Sequence, residues 1–339
     1  MANKNIQQGA KLPDWLQDLT PVVMDFIRDN PHSPFALILS ALVGFIFPNG
    51  KAEFPPVPGD IAPELQQKAG RKLDPDYAAK AYLDALGDID HPAHEINVRY
   101  RGSDKDVILT RQNLVVDPQT GFKGATYIDK GGHSITFFGG MDSIKGFDVK
   151  DAATIAQGVL HRINNQTGPA QDLYLDAVRS SNSTEIVGYS MGGMLANDMA
   201  ARLHAEATTL GDIGLPDVKD GTGKSMYTAE HIQNIHENVV ALKLPNDPYF
   251  AHAGKVHGQI KMLPEVSGQA VLDALNDPGN KISLPNNFNA QSGMAHHHLM
   301  AYELASDKLI KEQEIAAAPG TTQILTKPLV AGMGGTSGS

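Results

Sequence analysis

The chain has 339 residues, of which 41% are hydrophobic and 19% charged, so it folds rather than staying disordered. That length suits one large domain with an extension, or two small domains. A net charge of −10 without any basic stripe excludes a polyanion-binding surface, hence a nucleic-acid partner, and the absence of cysteine excludes disulfides, cysteine nucleophiles and thiolate metal sites.

In chain order, residues 1–8 carry no apolar stretch behind a charged start, so no standard signal peptide is expected. Trp15, Leu16, Leu19, Val22, Val23, Phe26 and Ile27 recur at helical spacing. An apolar run from Phe35 to Phe47 follows, bounded by Pro34 and Pro48. As a helix it would span roughly 20 Å, short of the ~30 Å hydrocarbon core of a bilayer. It reads as a packing helix, with peripheral membrane contact as the alternative. Residues 48–63 are rich in Pro and Gly and read as a linker, and residues 76–86 as a short helix. Residues 1–95 together read as a mostly helical N-terminal extension.

From residue 96 the pattern turns to strands, at 96–100, 107–110, 124–128 and 134–138, the last two forming a hairpin across Lys130-Gly131-Gly132. Helical stretches are expected at about 149–163 and 169–180. Residues 208–228 are rich in Gly, Asp and Lys and read as irregular. A clear strand covers 238–244, and a helix 300–310. The catalytic region is thus expected over 96–312, with a flexible tail at 313–339. The expected fold class is α/β, a mostly parallel sheet flanked by helices.

The most informative stretch is Glu185-Ile186-Val187-Gly188-Tyr189-Ser190-Met191-Gly192-Gly193-Met194. It reads as a strand, a glycine-pinched turn with a serine at its apex, and a helix. Such a turn projects the serine hydroxyl and aims the amides of the helix N-terminus at a developing oxyanion. G-x-S-x-G occurs by chance in roughly one chain in ten of this length. Here a β-favouring approach precedes it, and Met194, Leu195, Met199 and Leu203 follow at helical spacing.

A serine nucleophile needs a base, and the base an orienting acid, in the chain order serine, acid, histidine for this kind of turn. Asp247 directly follows a strand and is the leading acid, with Asp217, Asp220 and Asp273 as rivals. The base is one of His296, His297 and His298, with His252 and His257 as alternatives. Adjacent histidines point in different directions, and no H-E-x-x-H is present, so neither a metal nor a cofactor is expected.

These stretches resemble the bacterial class 3-like lipases and phospholipases, α/β-hydrolases related to type I-secreted lipases. The likeness runs over roughly 118–305. It takes in Thr120 to Tyr127, Ile135 to Asp142 where the family has a strand ending in F-R-G-T, and the elbow, usually G-H-S-L-G-G. It continues through Val239 to Asp247 and His297-His298-Leu299-Met300-Ala301-Tyr302, which is similar to H-S-L-x-x-Y. The resemblance implies Ser190 as nucleophile, Asp247 as acid and His297 as base, chosen by its spacing to Tyr302. It implies oxyanion donors at the Met191 amide and at Gly139 or Gly140. Phe138 and Gly140 replace an arginine and a threonine of the family pattern, and Tyr189 a histidine. Residues 208–228 lack the family's apolar strand after the elbow helix, which suggests remodelling there, such as a lid. The calcium-binding G-G-x-G-x-D repeats of the secreted relatives are absent.

The expected activity is hydrolysis of a lipid or phospholipid ester through an acyl-enzyme. An esterase or thioesterase acting on small soluble esters, or a non-catalytic binding scaffold, would carry the same elbow. A cysteine-free chain similar to exported lipases is compatible with a specialised secretion route and equally with the cytoplasm.

Overall fold

The computed structural model describes residues 54–58, 70–88, 91–117, 120–139, 165–220, 222–248, 250, 254, 257–277 and 297–317. The expectations for residues 15–28, 35–47 and 149–163 lie outside them, as does most of the expected tail. Among the described residues eight strands form one sheet: β1 Glu95–Arg99, β2 Asp106–Val116, β3 Lys123–Ile128, β4 His133–Phe138, β5 Ser183–Tyr189, β6 Ala207–Leu210, β7 Val239–Lys243 and β8 Gln259–Met262. Spatial order equals chain order. β1 to β4 pair antiparallel and β4 to β8 pair parallel, so the sheet is mixed with a parallel half that carries the elbow.

Helices cover both faces, as parallel strands require, because their crossovers return over the sheet. The first face is packed by α1 (Ala78–Leu86), α5 (Gly268–Leu275) and α6 (Leu299–Ala317), against Ile96, Leu109, Tyr127, Phe137, Val187 and Leu242. The second is packed by α2 (Thr167–Ser180), α3 (Met191–Leu203) and α4 (Ala229–Asn238), against Phe138, Ile186, Ala207 and Val239. The fold class is therefore the expected α/β layering. Every residue of α3 except Arg202 is buried, which the small residues Gly192, Gly193, Ala196, Ala200 and Ala201 permit by letting the helix approach the sheet closely.

One expectation is corrected. The stretch after the elbow helix does hold a strand, β6, with all four residues buried, paired to β5 and β7. Two of those four residues are threonines. They are β-branched and suit a strand, but they conceal the apolar signal that marks a buried one. Ile213, Leu215 and Val218 beyond it are buried, so the stretch as far as Val218 packs into the body, while residues 222–224 are exposed. β8, α4 and α5 carry no clear sequence signal. β8 is an exposed four-residue edge strand, and only Asn234 and Ile235 are buried in α4.

Candidate active site

β5 ends at Tyr189 and α3 begins at Met191, leaving Ser190 alone in the bend with φ 53° and ψ −115°. A non-glycine residue seldom holds such a backbone, and strain of this kind persists only where surrounding structure enforces it. The flanking glycines are required sterically. A Cβ on Gly188 would strike the Gly192 carbonyl, and one on Gly192 would strike the Phe138 carbonyl at the end of β4. The Ser190 N–H donates to the Leu210 carbonyl at 2.9 Å, which pins the bend to β6.

The structure brings Ser190, Asp247 and His297 together. Ser190 Oγ lies 2.8 Å from His297 Nε2, and His297 Nδ1 lies 3.0 and 2.9 Å from the two Asp247 carboxylate oxygens. A ring proton on Nδ1 facing that carboxylate leaves Nε2 as the acceptor for the serine hydroxyl. All three side chains are buried, Ser190 to 2% exposure, so the hydrogen bonds run in a low-dielectric setting. Asp247 follows β7, and His297 lies two residues before α6, so three separate elements meet here.

Two tyrosines fix this relay. Tyr302 donates its hydroxyl to Asp247 Oδ2 at 2.5 Å. Tyr189 donates to the His297 carbonyl at 2.6 Å, and its ring stacks on the imidazole at 5.5 Å. Burial, reinforced by the Asp247 charge, pushes both phenols well above their ordinary range, so each stays a donor. The sequence marked Tyr302 only as a spacing landmark and gave Tyr189 no role.

The other histidines do different work. His298 Nδ1 accepts the Met300 N–H at 3.1 Å and so caps α6. Burial, with a smaller contribution from His297, lowers its pKa to about 4, which keeps that nitrogen an acceptor. His257 packs against Phe250, with Nδ1 3.1 Å from the Gly258 carbonyl. His252 and His296 lie outside the described residues. Of the rival acids, Asp217 pairs with Lys219, Asp220 closes its own turn through the Thr222 and Lys224 amides, and Asp273 bonds Gln269. Among the described residues no group of three His, Asp or Glu side chains is arranged to hold a metal ion.

The oxyanion expectation needs a correction at one residue. The Gly139 N–H already donates to the Lys123 carbonyl at 2.7 Å, closing the end of β4 against β3, so it is not available as a donor. The Met191 amide is the first of α3, and helix geometry gives it no intrahelical acceptor. Gly140 lies outside the described residues.

Two neighbours went unnoticed in the sequence. Gly211, with φ +54°, follows β6; a Cβ there would lie 3.0 Å from the Tyr302 hydroxyl, 3.1 Å from Asp247 Oδ2 and 3.2 Å from His297 Cε1. Asp212 is wholly buried, accepting from the Asn197 side chain of α3 and from the Gly214 N–H at 2.8 Å. Burial outweighs those bonds and raises its pKa to about 6. A glycine and an acid directly after a strand are the only signal the sequence offers for this pair.

The mixed sheet, the strained serine bend between β5 and α3, and the order serine, aspartate, histidine define an α/β-hydrolase fold. No family model matches the chain, and no curated protein matches it. Among solved structures it is similar to the Rhizomucor miehei lipase–propeptide complex at 11% identity and a TM-score of 0.34, over 74% of this chain and 88% of that one. It is similar to carboxyl esterase 2 of the mycorrhizal fungus Tuber melanosporum at 11% identity and a TM-score of 0.26, over 69% of this chain and 99% of that one. An esterase of Pyrobaculum calidifontis gives 10% identity and a TM-score of 0.24, over 78% and 100%. At these scores the likeness carries no weight for activity, and none of it singles out the bacterial class 3-like family.

Proposed function

We propose that the chain is a serine ester hydrolase acting on lipid esters, and the observation that carries this reading is the continuous Ser190–His297–Asp247 relay behind a strained elbow. His297 Nε2 takes the hydroxyl proton as Ser190 Oγ adds to the acyl carbonyl, and Asp247 stabilises the imidazolium that forms. The Met191 amide holds one side of the tetrahedral oxyanion, and the Gly140 amide is the proposed second donor. Collapse expels the alcohol or lysolipid, which leaves with the proton returned by His297. Water, deprotonated by the same nitrogen, then cleaves the acyl-enzyme and restores the serine.

The lipid preference takes up the alternative reading of the apolar run of residues 35–47, a peripheral membrane contact, which would seat the enzyme on a bilayer and slightly favour phospholipid over triglyceride. The decisive experiment pairs a fluorophosphonate probe with a substrate panel. Wild type should be labelled and Ser190→Ala should not, with hydrolysis of p-nitrophenyl esters, emulsified triglyceride and phospholipid vesicles lost in the variant. Activity confined to short soluble esters would replace the lipid reading with an esterase. Absence of labelling in a folded wild type would end the enzyme reading altogether.

A further inference from the structure

Away from the relay, the far half of α3 carries a second constellation that the proposed chemistry does not use. Arg202 and Asp198 form a buried ion pair one helical turn apart, with Nη2 2.5 Å from Oδ2 and the two side chains 5% and 4% exposed. Tyr227, just before α4, donates to Asp198 Oδ1 at 2.6 Å, and Gln171 of α2 accepts from Arg202 Nη1 at 2.7 Å. Three elements thus lock one guanidinium, one phenol and one carboxamide into a single orientation. The bond to Arg202 fixes the Gln171 oxygen, and the amide nitrogen consequently faces outward.

What that nitrogen meets is the backbone of the stretch Phe54-Pro55-Pro56-Val57-Pro58. Gln171 Nε2 donates to the Pro56 carbonyl at 2.9 Å. The Phe54 ring lies 4.7 Å beneath the Arg202 guanidinium and 5.2 Å from the Tyr227 ring. Three prolines in five residues restrict the backbone toward the polyproline-type conformation, so its ordering costs little entropy. A carboxamide reading a proline carbonyl, beside an aromatic and a flat cation, is how grooves recognise such peptides. The composition reads as a linker; the structure places it as a ligand.

We propose that Gln171, Arg202 and Tyr227 form a receptor for an aromatic-led polyproline segment, filled in cis by residues 54–58, and that this clamp holds the N-terminal region to the hydrolase body. The receptor is complete without its occupant, because each of its polar groups is oriented by a partner in the body. A chain whose own segment is weakened therefore accepts the same segment in trans.

The test uses the full chain and a fluorescein-labelled peptide of residues 51–62. Phe54→Ala protein should bind this peptide by fluorescence anisotropy, whereas wild type, with its site filled, should bind it at least about tenfold more weakly. A peptide carrying the same Phe→Ala change should lose binding to the variant by a similar factor. Adding Gln171→Leu to the Phe54→Ala protein should weaken peptide binding while circular dichroism stays unchanged. Limited proteolysis gives a second readout, with cleavage within residues 48–70 several-fold faster in Phe54→Ala than in wild type. Peptide binding by neither protein, or equally by both, overturns the proposal, as does an unchanged cleavage rate. None of these readouts depends on ester hydrolysis, so failure here leaves the reading of Ser190 intact.

Discussion

Asp247 is held from two sides, by the His297 ring and by the Tyr302 hydroxyl. A charge-assisted bond of this kind is worth about 1.5–3 kcal/mol, and only part of that bears on the transition state. Tyr302→Phe should therefore lower kcat/KM by roughly tenfold, with a stability loss of about 1–2 kcal/mol, read from ester hydrolysis and urea unfolding together. Unchanged kinetics would show that the phenol is only a packing group. Gly211 is the sharper probe, since a methyl group there enters the small space shared by Tyr302, Asp247 and His297. Gly211→Ala should reduce kcat by about a hundredfold, because a misplacement of under an ångström at the reacting groups is costly. A loss of KM alone would contradict that. Ser190 and Asp247 were legible because one sits in a patterned turn and the other directly after a clear strand. His297 could be narrowed but not chosen from local pattern, since three adjacent histidines share it and only the fold decides which one faces the serine. Gly211, Tyr189 and Asp212 were not legible. Their roles depend on distances between segments far apart in the chain.

The elements follow the same logic. β3, β4, β5, β7 and α3 announce themselves because burial gives each a run of apolar or β-branched residues or a helical stripe. β6 and β8 do not, being four residues long, the one diluted by threonine and the other exposed at the sheet edge. At the junction of α3 and β6, Asp212 joins Asn197 of the helix to the loop after the strand. Its folded pKa of about 6 lies above the value near ~4 of an unfolded aspartate. The folded chain thus keeps a proton that the unfolded chain releases. Stability from this group is fully present below about pH 4 and is lost as pH rises through about 6. Asparagine fits the same space, and the Asn197 Oδ1, which has no hydrogen-bond partner, can accept from its amide after a flip. Asp212→Asn should therefore gain on wild type by up to about 2–3 kcal/mol between pH 4 and pH 7 in denaturant titrations. A constant difference across that range would sink the assignment.

At the scale of the whole molecule, the α/β layering was legible from the alternation of strand and helix signals, whereas the sheet order was not. No residue pattern states that β1 to β8 lie side by side in chain order. That order has a consequence in time. Among the described residues every strand pairs with the one made just before it, so the sheet can assemble progressively from β1, by short turns up to β4 and by longer helical crossovers beyond it. The relay does not share this locality, because Ser190 and His297 are 107 residues apart and His297 arrives with the last described helix. In refolding, fluorophosphonate reactivity should lag behind the far-UV circular dichroism of the sheet, and simultaneous recovery would refute the sequence of events. During synthesis the same order leaves a nearly finished sheet whose serine still has no base. The proposed hydrolase thus stays inert until synthesis has passed His297.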